Sequence, residues 1–196
     1  MKKIFLASQS PRRSQLLEKA GISFQILPIT TSENVDKKLM IDTQILSITR
    51  QKLVAAEKSP LVQASPSSLI ICADTEVIFE NALMGKPKNP QDAQQTLMRL
   101  SGNKHFVKTG YIIKNTESKL ELSHIETSIV YFKTLSEKMI SDYIATGEPM
   151  DKAGSYGIQG LGGKFVEKFE GLESTIIGLP IERLSEHLNL VFGIGQ

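Results

Sequence analysis

The sequence predicts a mixed α/β fold, with strands and helices following one another along the chain. Three observations carry that reading. The short apolar run Ile4-Phe5-Leu6 leads within a few residues into a helix-start signal. The run from Leu69 to Phe79 is long, apolar and bounded by turn residues, as expected of a buried strand. Between and after them, apolar residues recur at helical spacing in several segments that open on capping residues and close on glycine.

The elements follow in order. Ile4 to Leu6 is the first strand. Ser10 is placed to cap a helix with its hydroxyl, and Pro11 suits the first helical position, where no N–H is needed. That helix ends at Ala20-Gly21. Ile22 to Leu27 alternates and predicts a strand; Pro28 to Asp36 is a polar loop carrying Glu33. Asp42 is the expected cap of a helix reaching about Lys58, with Ile45, Ile48 and Lys52 on one face and Arg50 toward solvent. Ser59 to Ser68 is a connecting loop. The strand from Leu69 to Phe79 follows, then a turn over Asn81 to Asn89 containing Gly85-Lys86-Pro87.

Asn89-Pro90 opens a helix that buries Ala93, Leu97 and Leu100 and stops before Gly102. Strands are expected at about Phe106 to Lys114 and Leu120 to Phe132. Thr134-Leu135-Ser136-Glu137 has the form of a capping box, and its helix buries Met139, Ile140, Tyr143 and Ile144 before Gly147. Residues 151 to 163 hold five glycines, which suits close backbone approach to a ligand, with Tyr156, Ile158 and Leu161 as anchors. Phe165 to Phe169 and Ser174 to Gly178 are the last expected strands. Pro180 opens a final helix with Ile181, Leu184 and Leu188 on one face.

Bulk properties narrow the class. A chain of 196 residues fits one sizeable domain or two small lobes. A net charge of +2 gives no bias toward polyanions, so nothing argues for nucleic acid. A single cysteine, Cys72, leaves no internal disulfide framework and no cysteine-rich zinc site; it is read as a small core residue. No apolar run approaches the roughly 18 residues of a membrane span. Too few apolar residues follow Lys2-Lys3 for a signal peptide, and a cytoplasmic protein is the expectation.

The chemistry-bearing residues fall into two groups. Ser8, Ser10, Arg12 and Arg13 surround the start of the first helix, where a partial positive charge and backbone donors make a seat for phosphate. The same residues also fit a capped surface helix with solvated arginines. Asp74 lies inside an apolar strand, where a carboxylate has to be paired, hydrogen-bonded or metal-bound; Glu76 shares its parity. Lys52 either snorkels from an apolar stripe or reaches an anion. Lys86 is an exposed hairpin lysine or a phosphate ligand, Glu33 a solvated loop residue or a metal-linked one. His105 has no second histidine at metal spacing, so a hydrogen-bonding or solvated role is its default. Cations with carboxylates suit a phosphate-bearing substrate and a divalent cation. Neither a Walker-type loop nor a dinucleotide glycine fingerprint follows the first strand, which disfavours a kinase, a GTPase or a Rossmann dehydrogenase.

Over nearly its whole length the sequence resembles the Maf family of nucleoside triphosphate pyrophosphatases, the septum-formation inhibitor Maf-like proteins. The resemblance rests on Leu6-Ala7-Ser8-Gln9-Ser10-Pro11-Arg12-Arg13, Ala73-Asp74-Thr75, Gly85-Lys86-Pro87, Leu100-Ser101-Gly102 with His105 and Thr109-Gly110, residues 151 to 160, and Gly178-Leu179-Pro180. It implies one Maf-like domain over residues 1–196 of the Maf/ITPase-like kind: an elongated mixed sheet flanked by helices, with two lobes and a central cleft. It implies cleavage between the α- and β-phosphates of a nucleoside triphosphate, a divalent cation (magnesium or manganese), a cytoplasmic location and a homodimer. By position it implies Asp74 as proton acceptor, Arg12, Thr75 and Gln159 in base selectivity, Arg13, Lys52 and Lys86 facing phosphates, and Glu33 with Asp74 at the metal.

The form Tyr156-Gly157-Ile158-Gln159-Gly160 resembles the branch acting on dTTP and UTP, and a glutamine amide can pair with a pyrimidine edge. Gln9, Glu76 and Glu173-Ser174-Thr175 depart from the family pattern. The alternatives are the same reaction on 7-methyl-GTP or another base, or a nucleotide- or nucleic-acid-binding regulator of septum formation.

Overall fold

The computed structural model describes residues 2–32 and 34–194. Its elements are, in chain order, β1 (Lys3–Leu6), α1 (Pro11–Lys19), β2 (Gln25–Ile26), α2 (Ile41–Glu57), α3 (Pro60–Gln63), β3 (Ser68–Phe79) and β4 (Ala82–Leu83). Then come α4 (Pro90–Leu100), β5 (Lys104–Asn115), β6 (Glu121–Phe132), α5 (Glu137–Ala145), three 3-10 turns between Glu148 and Phe165, β7 (Val166–Glu170), α6 (Glu173–Ile177) and α7 (Ile181–Phe192). Among the described residues the strands are hydrogen-bonded in the order β2-β1-β3-β5-β6-β7, with β4 on β3. The sheet is mixed: β1 runs parallel to β2 and to β3, whereas β3/β4 and β6/β7 are antiparallel.

The chain forms two compact units. The first comprises residues 1–74, 109–126 and 178–196, and the second residues 75–108 and 127–177. The first is built on the β1–β3 pairing, in register from Lys3 opposite Ser68 to Leu6 opposite Ile71. Its core joins Phe5, Ala7, Leu27, Leu53, Ala56, Val62, Ile70, Cys72 and Ile112. Leu53 and Ile70 are fully buried, and each such side chain contributes about 1.5–3 kcal/mol through removal from water. Gly110 of β5 lets α2 come close: a Cβ there would stand 2.7 Å from Ile45 Cγ2. Arg50 on the outer side of α2 is exposed, as expected, and pairs with Glu121.

The second unit packs Val77, Leu97, Leu100, Val107, Val130, Phe132, Leu135, Ile140, Tyr143, Tyr156 and Phe165 together. Asn89 caps α4 by accepting the Asp92 N–H at 2.8 Å. His105 is fully buried with its Nε2 2.8 Å from the Tyr156 hydroxyl, the hydrogen-bonded role expected of it.

Several local expectations are corrected. Ser10 occupies the N-cap of α1 but its side chain makes no cap bond; the Ser8 hydroxyl instead accepts the Ser10 N–H at 3.2 Å. Asp42 lies in the first turn of α2, with Met40 at the N-cap, a place where its charge still complements the helix end. Ser136, not Thr134, caps α5, accepting the Met139 N–H, and Met139 is exposed. β2 covers only Gln25–Ile26 of the expected strand, Pro60–Gln63 is a helical turn inside the expected loop, and residues 173–177 are helix α6 rather than a strand.

Candidate active site

In the first unit, β1 and β3 deliver their functional residues side by side. The Ala7 N–H still donates to Ile71 O, at 2.8 Å, so Ser8 leaves β1 beside the stretch of β3 that ends in Cys72-Ala73-Asp74. Ligands of open α/β sheets bind beyond the carboxyl ends of parallel strands, here the end of β1. Pro11 fixes the first turn of α1, and its N-terminal partial charge faces the same loop.

Arg13 is tied into this loop from two directions. Its Nε donates to Gly178 O at 2.8 Å and its Nη1 to Ser8 Oγ at 3.2 Å. A planar guanidinium held at two corners keeps a fixed orientation toward an anion. Ser8 is buried, and Ser10 and Arg12 are half-buried on the same loop and first turn. The Gly178 carbonyl was not legible as a partner; the glycine before Leu179-Pro180, at φ 129°, was the signal available.

Lys52 does not snorkel to water. Its Nζ lies 2.5 Å from Asp74 Oδ1, in a pair whose side chains are 13% and 11% exposed. The close seating of α2 at Gly110 brings the helix face of Ile45 and Ile48 down onto the sheet and carries Lys52 with it. Asp74 Oδ2 is buried and has no hydrogen-bond partner among the described residues. One carboxylate oxygen is thus neutralised and the other keeps its acceptor capacity. Cys72, two residues earlier, is buried in the core; desolvation pushes its thiol up to about 12, against the pull of nearby Lys52 and Arg13. It is the inert core residue expected.

Glu33 lies outside the described residues. Among the described residues no three His, Cys, Asp or Glu side chains form a metal cluster. A magnesium or manganese site of one carboxylate plus substrate phosphates needs no such cluster, and the acceptor oxygen Asp74 Oδ2 fits that donor set.

The remaining candidates belong to the second unit. Thr75 and Glu76 are half-buried on β3, whereas Lys86 and Gln159 are exposed. The Gly85-Lys86-Pro87 turn is joined to the glycine-rich segment, with Gly154 N–H donating to Gly85 O at 2.8 Å. Gly154, at φ 69°, lies so close to β3 that a Cβ would meet Val77 at 2.8 Å. Gly160 closes on Glu148 and Gly162 on Tyr143, neither of which the sequence singled out for this role, whereas Gly157 closes on Lys152 and Gly163 on the Ile158 carbonyl; of the three expected anchors Leu161 is exposed.

A mixed α/β chain with Ser8 and Arg13 tied together just after β1, and a buried Lys52–Asp74 pair, has the donors and the acceptor oxygen that a phosphate-bearing ligand calls for. Comparison with known proteins specifies the family. The Maf-like protein family matches residues 3–191, and the chain belongs to that family. It is 47% identical to a dTTP/UTP pyrophosphatase of Bdellovibrio bacteriovorus, over 95% of this chain and 97% of that protein. It is 40% identical to a dTTP/UTP pyrophosphatase of Caldicellulosiruptor saccharolyticus, over 96% and 94%. A third relative of the same name, from a Geobacillus species, is 42% identical over 93% and 95%.

Proposed function

We propose that this protein is a nucleoside triphosphate pyrophosphatase that hydrolyses dTTP and UTP to the monophosphate and pyrophosphate, its whole length acting as one Maf-like domain. The names of its relatives support the substrate. The observation that carries the chemistry is the divided state of Asp74, with Oδ1 on Lys52 and Oδ2 buried and open.

Water supplies the oxygen that joins phosphorus, the bond between the α- and β-phosphates breaks, and the water proton passes to Asp74. Lys52 keeps Asp74 oriented until then. Arg13, Arg12, Ser8, Ser10 and the start of α1 hold phosphate oxygens and oppose the charge that grows on them. Lys86 adds a phosphate contact. Thr75 and Gln159 read the base, for which the glutamine amide supplies both a donor and an acceptor. A divalent cation held by Asp74, with Glu33 as a second ligand, would neutralise the phosphate oxygens. The +2 net charge suits a small nucleotide better than a nucleic acid. No helix among the described residues is long and apolar enough to cross a membrane. A cytoplasmic homodimer is the form proposed.

The test is product analysis with dTTP and UTP, in magnesium or manganese and then in excess chelator. Equal amounts of monophosphate and pyrophosphate, lost with chelator, are expected. Folded protein that turns over no nucleotide would instead favour a binding regulator.

A further inference from the structure

Gln159 sits on a tight turn whose shape is imposed from below. Gly160 N–H donates to Gly157 O at 3.2 Å, which places Ile158 and Gln159 at the tip. Both flanks of this turn rest on two side chains. On one flank, the Tyr143 hydroxyl packs against Gly162, which itself abuts the Gly157 backbone. On the other, the Glu148 carboxylate accepts the Leu161 N–H at 2.9 Å through Oε2 and the Gly162 N–H at 3.3 Å through Oε1. The two supports are themselves joined, Tyr143 donating to Glu148 Oε1 at 3.0 Å.

Gly160 and Gly162 are explained by these contacts. A Cβ on Gly160 would lie 2.6 Å from Glu148 Cδ, and one on Gly162 would lie 2.7 Å from the Tyr143 hydroxyl. Backbone N–H groups that wrap a carboxylate form an anion nest, here filled by the protein's own side chain. Lys152 braces the base of the assembly: its Nζ donates to Glu148 O at 2.7 Å, and its stem lies against Gly157. Burial opposes the charged form of Glu148, but the Leu161 and Gly162 N–H groups, the Tyr143 hydroxyl and Lys152 outweigh it and hold the carboxyl below its ordinary range. The nest is therefore filled by a carboxylate through the neutral pH range.

We propose that Glu148, together with Tyr143, is a positioning device for base selectivity: it fixes the turn that presents Gln159 without itself touching the nucleotide. The inference rests on the reading of Gln159 as the residue that recognises the pyrimidine. A glutamine amide discriminates between bases only if its donor and acceptor are held in one place; on a loose turn the same amide adapts to several base edges. Glu148→Gln keeps the shape but turns one accepting oxygen into an NH2 group facing backbone N–H donors. Tyr143→Phe removes the hydroxyl and leaves the carboxylate.

The experiment measures kcat/KM for dTTP and dCTP, and inhibition by inorganic tripolyphosphate, in the wild type, Glu148→Gln, Tyr143→Phe, Gln159→Ala and Glu148→Gln/Gln159→Ala. Glu148→Gln is expected to lower kcat/KM for dTTP at least tenfold and to shrink the dTTP-to-dCTP ratio toward that of Gln159→Ala. Tripolyphosphate should inhibit within twofold of the wild type. Tyr143→Phe should act in the same direction and carries the test if Glu148→Gln does not fold. The double variant should show the selectivity of Gln159→Ala and no further loss, as two residues acting through one turn require. A Glu148→Gln enzyme that loses the same factor on both nucleotides, at an unchanged ratio, overturns the proposal and leaves Glu148 a structural residue. If Gln159→Ala alone preserves the ratio, the reading of Gln159 fails and takes this proposal with it.

Discussion

Replacing Asp74 by asparagine removes one charge and changes almost nothing in shape, so it tests the divided carboxylate directly. The Asn Oδ1 can still accept from Lys52 Nζ, now 2.5 Å from the carboxylate. What goes is the negative charge and, at the buried second oxygen, the acceptor. An amide NH2 there can neither take a proton from water nor bind a cation. A general base is worth about 10²- to 10⁴-fold in rate, or about 3–5 kcal/mol of barrier. Loss of turnover on dTTP should reach that range, with KM changing less than kcat.

Stability moves separately. Removing one member of a buried pair strands the other charge, but Lys52 keeps a neutral hydrogen bond and 13% side-chain exposure. A cost of about 1–3 kcal/mol follows, or roughly 2–12 °C in Tm for a chain of this size. Pyrophosphate release and a thermal melt on the same sample separate the two effects. A folded Asp74→Asn protein retaining a third or more of wild-type kcat would refute the argument.

Further outcomes follow from the same geometry. Arg13→Lys keeps the charge but gives up the two-point tether to Gly178 O and Ser8 Oγ; kcat/KM for dTTP should fall about 10²-fold, a loss of about 2.7 kcal/mol, with a melt close to wild type. Cys72, with its thiol near 12 and its side chain in the core, should resist iodoacetamide in the native protein, with full activity retained, and react only after denaturant is added. Burial holds His105 down to about 4, against an ordinary 6.5. The unfolded chain therefore takes up that proton first, and stability is lost as pH falls from about 6.5 toward 4, by up to about 3 kcal/mol. Urea midpoints across that window should show the slope, and His105→Gln should flatten it.

The parts of the fold legible in the sequence are those written locally. The step from β1 through Ser8 into α1 is spelled by an apolar run, two serines and a proline, and the apolar flanks of Asp74 marked β3 and required a partner for the carboxylate. The identity of that partner was only half legible: periodicity put Lys52 on the buried face of α2, but the glycine that lets the helix approach, Gly110, lies more than fifty residues away. Errors arose where local chemistry had a competitor. Thr175-Ile176-Ile177 has strand-forming side chains yet forms α6, because β propensity yields to tertiary context. Ser10 stands at the N-cap position but its side chain makes no cap bond, and its own N–H is taken by Ser8 Oγ. The glycine-rich segment was legible as a place of close approach. That its partner is Glu148 depends on the folded path of a loop, which no spacing rule encodes.

The proposed reaction is cleavage of dTTP and UTP between the α- and β-phosphates. A single competition assay tests it most directly. dTTP, UTP, dCTP, dGTP and 7-methyl-GTP at equal concentration are incubated together with enzyme and magnesium, and each monophosphate is followed by chromatography alongside pyrophosphate. dTMP and UMP should appear first, with one pyrophosphate for each monophosphate. Earlier depletion of 7-methyl-GTP, or release of inorganic phosphate with accumulation of diphosphates, would contradict it.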